Sequence, residues 1–153
     1  MIRTPDRASI LQKLVALETE YWFEVDFNWG RNAAQLYVPN GIFVIGETRM
    51  VGHDAIAQFY RWREERGIRT ARHVITNFRL HAANGSEASL GCILLLYAAD
   101  GAPVLPSLPA ILIADVRSDF ACSPPGQYLF QSHVLSPVFM GGEAPTVPPT
   151  TRT

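Results

Sequence analysis

The stretch TARHVITNFRL, residues 70–80, decides the fold. Val74, Ile75, Thr76 and Phe78 favour an extended chain, and neither Gly nor Pro interrupts them. Side chains alternate along a strand, so His73, Ile75 and Asn77 are expected on one side and Val74 and Phe78 on the other. An imidazole and an amide on a face that also holds Ile75 need polar partners if that face is covered.

Downstream, the chain continues to read as β. Asn84-Gly85 is a hairpin signal. Residues 89–98, SLGCILLLYA, are apolar on both faces and predict a central, covered strand. Asp100-Gly101 predicts a second hairpin. Strands follow over 110–116 and 128–135, separated by Pro124-Pro125-Gly126. Pro103, Pro106 and Pro109 keep the segment between them out of any regular central strand.

Upstream, the period changes to that of a helix. Thr4-Pro5-Asp6 is a start signal, with Thr4 as the capping hydroxyl. Ile10, Leu14, Leu17, Tyr21, Trp22 and Val25 then recur at three- and four-residue steps, predicting a helix to Phe27 that Gly30 ends. A short helix over 31–37, a strand over 42–45 and a short strand at Met50-Val51 come next. A third helix starts at His53-Asp54, carries Ile56, Phe59 and Tyr60, and stops at Gly67. Helices segregated from an antiparallel meander mean α+β.

At 153 residues, 48% hydrophobic and 18% charged, the chain fits one domain with a full core. We expect that domain over 1–140 and a flexible Pro/Thr-rich tail over 141–153. The net charge of −1 gives no basic footprint, which argues against nucleic acid. The N-terminal residues lack an apolar leader core, and the longest apolar run, 92–99, is too short for a bilayer. A cytoplasmic protein without a membrane partner is the expectation. Cys92 and Cys122 form no CxxC and are expected as plain thiols. The four histidines lack metal-ligand spacing, so neither a metal nor a cofactor is expected. Arg61, Arg63, Arg66, Arg69 and Arg72, interrupted by Glu64 and Glu65, read as a solvated basic face near a helix C-terminus.

The order of elements resembles the NTF2-like cone fold, and its details resemble the SnoaL-like branch that includes scytalone dehydratase. Four segments carry the likeness: Tyr21-Trp22-Phe23-Glu24-Val25-Asp26; residues 36–43, LYVPNGIF, beside the family's LF-x-x-D-G-x-F; Val51-Gly52-His53-Asp54-Ala55-Ile56, beside its G-x-x-A-I; and Arg72-His73 with Asn77. The match covers residues 8–139. It implies a curved antiparallel sheet wrapped on the N-terminal helices around a pocket. In the family's enzymes an aspartate of the first helix faces a histidine of the long strand, and the matching positions are Asp26 and His73. The helical reading agrees, since Asp26 lies four residues after Trp22 and continues an apolar stripe, where a carboxylate needs a partner.

The resemblance therefore implies a cofactor-independent lyase, a dehydratase or an isomerase. It would act on a small apolar cyclic substrate, with His73 as general base, Asp26 orienting it and Tyr21 assisting. Asn77, Trp22, Tyr60, His133 and Tyr97 are the candidate substrate-binding residues, and Trp29 and Ile75 are expected in the walls. The chain departs from its relatives in lacking a second histidine on the neighbouring strand. The alternative is a non-catalytic ligand-binding or assembly module of the same fold. A homo-oligomer, dimer or trimer, is expected either way, because the sheet's outer face carries apolar residues.

Overall fold

The computed structural model describes residues 6–124, 126–142 and 146–148. Helix α1 (Arg7–Asn28) is capped by Asp6, whose carboxylate accepts the Ser9 N–H at 2.7 Å. The expected cap Thr4 lies outside the described residues. Leu14, Tyr21, Trp22 and Val25 form the buried stripe of α1, and Trp29 ends the helix in a left-handed conformation. The helix expected over 31–37 is a single 3-10 turn, Ala33–Leu36, because Tyr37 is already extended and enters β1 (Tyr37–Ile45). A tight turn joins β1 to β2 (Thr48–Val51), and α2 (His53–Glu65) follows.

The long strands β3 (Arg69–Ala83), β4 (Glu87–Asp100), β5 (Leu112–Cys122) and β6 (Tyr128–Met140) form the predicted meander. The six-stranded sheet runs in the order β2-β1-β6-β5-β4-β3. Every pairing is antiparallel except β1 with β6, which is parallel. The architecture is α+β, as expected from the sequence. Asp100-Gly101 does not make a tight hairpin. Residues 101–111 loop out between β4 and β5, and the Gly101 N–H turns back to the Ile68 carbonyl at 2.9 Å.

Strand β3 departs from plain alternation at Asn77. Thr76 pairs with Ile93 but Arg79 with Gly91, so β3 holds one extra residue there, and Asn77 takes a left-handed φ of 57°. A single extra residue inverts the facing of everything beyond it. Ala71, His73 and Ile75 face inward before the bulge, and Phe78 and Leu80 pack on the core after it. Phe78 thus joins the side of His73, and Asn77 stands exposed on the outside.

In β4 the even positions Leu90, Cys92, Leu94 and Leu96 are buried, which turns Tyr97 outward. Both cysteines are free thiols. Among the described residues no helix is long and apolar enough to cross a membrane.

Gly30 fixes the angle between α1 and α2. Its φ is +69°, and a Cβ there would lie 2.5 Å from Cδ1 of Tyr60. Gly30→Ala is therefore expected to cost about 2–4 kcal/mol, from backbone strain plus overpacking, in urea titration. Gly85→Ala, at a position with open space around it, should stay within about 0.5 kcal/mol of the parent.

Candidate active site

Asp26, on the last turns of α1, reaches β3 and holds one residue twice. Its Oδ2 accepts the His73 backbone N–H at 2.8 Å, and its Oδ1 accepts from the His73 ring at Nδ1, at 2.6 Å. Both side chains are only 5% exposed. A carboxylate is an acceptor, so Nδ1 carries the hydrogen and Nε2 keeps its lone pair. The His73 ring stacks on Trp22, with centroids 4.4 Å apart and planes 19° from parallel. Burial pushes the His73 pKa below its ordinary value, and this outweighs the opposing pull of Asp26. His73 thus sits as a neutral, oriented base.

His73 lines a closed cavity with Trp22, Tyr60 and Arg63, and Phe43, Phe59, Leu96, Leu112 and Leu135 supply apolar wall. The cavity measures about 20 Å³, room for about one water. Thr146 completes its lining, and Val147 packs on the core. The expectation of a flexible tail falls partly on residues 143–145 and 149–153, which lie outside the described residues.

Arg63, read from the sequence as part of a solvated basic face, instead lines this cavity. Its guanidinium lies 5.9 Å from the centre of the Tyr60 ring. It follows Phe59 by four residues and Tyr60 by three, a spacing that places it on the inward face of α2 and was its only sequence signal. Burial lowers its pKa, opposed chiefly by Tyr60. A second small cavity, on the far side of Asp26, is lined by Arg63, Arg69 and Trp29. Trp29 is thus a wall of that neighbouring space.

Behind Tyr60 a chain of polar groups runs through the core. Tyr21 Oη and Tyr60 Oη are 2.5 Å apart, Tyr37 donates to Tyr21 at 2.9 Å, and Tyr37 Oη lies 3.1 Å from His133 Nδ1. On its other side His133 Nε2 lies 3.1 Å from Glu18 Oε2, and Ser118 donates to Glu18 Oε1. Each hydroxyl has one hydrogen. Since Tyr37 donates to Tyr21, His133 Nδ1–H must donate to Tyr37 and Tyr21 to Tyr60. The Tyr60 hydrogen is then free for the cavity. Burial raises the pKa of all three phenols, so they remain donors.

The structure therefore brings Asp26, His73, Trp22 and Tyr60 together. Tyr21 and His133 are fully buried behind that group and act on the cavity through Tyr60. Asn77 is exposed at the bulge, where it accepts from Thr76 Oγ1, and Tyr97 is 43% exposed on the opposite sheet face. Neither reaches the cavity, because the bulge and the strand phase point both outward. Glu18 was missed as well, although its place between Leu14 and Trp22 on the buried stripe was a legible sign. Among the described residues no group of three His, Cys, Asp or Glu side chains converges as a metal site requires.

No family model matches the chain, and no curated protein matches it by sequence. Solved structures do. A proposed scytalone dehydratase from Novosphingobium aromaticivorans superposes with a TM-score of 0.76 at 16% identity, over 95% of this chain and 96% of that one. The β subunit of a proposed aromatic-ring-hydroxylating dioxygenase from the same organism gives 0.75 at 12%, over 92% and 96%. A protein from Catenulispora acidiphila, solved in complex with S-DNPA, gives 0.71 at 17%, over 86% and 95%. The chain has the NTF2-like cone fold.

The depressed pKa of His73 has a consequence for stability. Below its ordinary value of 6.5 the unfolded chain binds a proton there that the folded chain refuses. Its contribution is present above pH 6.5 and is lost as pH falls toward the lower folded value. Urea titrations from pH 7.5 to 4.5 are expected to show a shallower loss in His73→Gln than in the parent.

Proposed function

We propose that the chain is a cofactor-independent lyase of the dehydratase type, with His73 as the base that removes a proton next to a carbonyl. The observation that carries this reading is the double grip of Asp26 on His73, at 2.6 and 2.8 Å, which fixes the tautomer and leaves Nε2 for a cavity ligand. Asp26 stabilises the imidazolium that forms, and Tyr60 donates to the oxygen where charge develops or to the departing hydroxyl. Tyr21, Tyr37 and His133 serve that donor from behind. An isomerase would use the same enolate and the same groups. Likeness in fold to a proposed scytalone dehydratase and to a protein that binds S-DNPA supports small-molecule chemistry in this hollow.

The small cavity and the likeness to a dioxygenase β subunit favour a second reading, a non-catalytic assembly module. Turnover separates the two. A panel of cyclic ketones and β-hydroxy ketones in D₂O, followed by proton NMR, reads both α-proton exchange and loss of water. The parent is expected to exchange or dehydrate at least one of them. Asp26→Asn and His73→Gln should each lower that rate by about 10²–10⁴-fold. Unchanged rates in both variants overturn the base assignment, and a parent silent on the whole panel favours the module.

A further inference from the structure

Hydrogen-bond accounting around the cavity leaves two donors that no protein acceptor meets. The first is the Arg63 guanidinium, which can only donate. Acceptors near it are engaged elsewhere: both oxygens of Asp26 on His73, Asp100 on Arg69 at 2.9 Å, and Glu64 on Arg31. Among the described residues none is within hydrogen-bonding distance of Arg63. The second is the Trp22 indole N–H, buried and without an acceptor among the described residues. Nearly all buried polar groups are paired, so two unmet donors on one cavity mark what its occupant brings.

We infer that the occupant is a flat, largely apolar molecule carrying an anionic oxygen, and that Arg63 holds this oxygen with the Trp22 indole N–H as a second donor. A partly buried guanidinium without a hydrogen-bonded counter-ion favours an anion over a neutral carbonyl. Phe43, Phe59 and Leu135 exclude a sugar or a free inorganic anion and accept a ring. His73 Nε2 then faces carbon rather than oxygen. The inference deepens the reading given above, since it names the charge of the ligand, and it rests on the same cavity. Room for one water is too little for a ring, so the occupant enters as the wall at Thr146 gives way.

Benzoate and benzamide are matched in shape and differ in charge, which makes them the probes. Nitrogen-15 NMR titrations follow the Trp22 indole N–H, the Arg63 Nε–H and the amides of Thr146 and Val147. Benzoate is expected to shift these signals and to bind the parent about tenfold more tightly than benzamide, the step that one charge-assisted hydrogen bond supplies. Arg63→Met should abolish that preference while leaving benzamide binding unchanged. Arg63→Lys should restore part of it, and Trp22→Phe, which keeps the stack on His73, should weaken benzoate several-fold. Arg61→Met, on the exposed side of α2, should change nothing.

Equal affinity for the two probes overturns the inference. So does a preference that survives Arg63→Met, or benzoate that leaves the cavity signals unmoved. His73→Gln is expected to bind benzoate as the parent does. Loss of the catalytic reading therefore leaves this one standing, and the reverse also holds.

Discussion

Two carboxylates on the inward stripe of α1 fasten that helix to the sheet. Glu18 and Asp26 lie eight residues apart, with Trp22 midway, so all three share one face. Asp26 ties α1 to β3 through His73, and Glu18 ties it to β5 and β6 through Ser118 and His133. Ser118 and His133 are directly opposed in the β5–β6 ladder, so both meet Glu18 from a single register position. A carboxylate sealed from water is costly unless its lone pairs are engaged. A shift of α1 by one turn would break both attachments. That constraint places Trp22 over His73 and holds the hollow in register with the imidazole.

The consequence is a division of labour between the two histidines. His73 has one nitrogen spent on Asp26 and one left over. His133 has both nitrogens spent, and its effect passes outward through three phenols. The hollow therefore meets one acceptor, at His73, and a set of donors at Tyr60, Arg63 and Trp22. Its walls are otherwise hydrocarbon, a low-polarity setting in which each of those groups interacts more strongly than it would in water.

Much of this was legible in the residues. The change from a helical to an alternating period after Gly67, the stripe along α1 and the turn at Asn84-Gly85 give the α+β order directly. Asp26 betrayed itself by continuing an apolar stripe, and His73 by sitting in an apolar strand. What stayed hidden depended on contacts between distant segments. Glu18 sat on the same stripe as Asp26 but had no visible partner, since Ser118 and His133 lie about a hundred positions away. Arg63 was masked by the arginines around it. Tyr97 and Asn77 were misplaced because pairing with a neighbouring strand, and not local composition, sets which way a side chain points. Parallel pairing of β1 with β6 is equally a property of the folded chain.

The irregularity at Asn77 has a consequence for comparing this chain with others. A strand normally lets one sequence slide over another in steps of two without changing which residues meet the interior. Here the count is odd. Any alignment of β3 with a strand that lacks the bulge must open a one-residue gap at Asn77. Without that gap, His73 is matched correctly while Phe78 and Leu80 are matched to residues that face solvent.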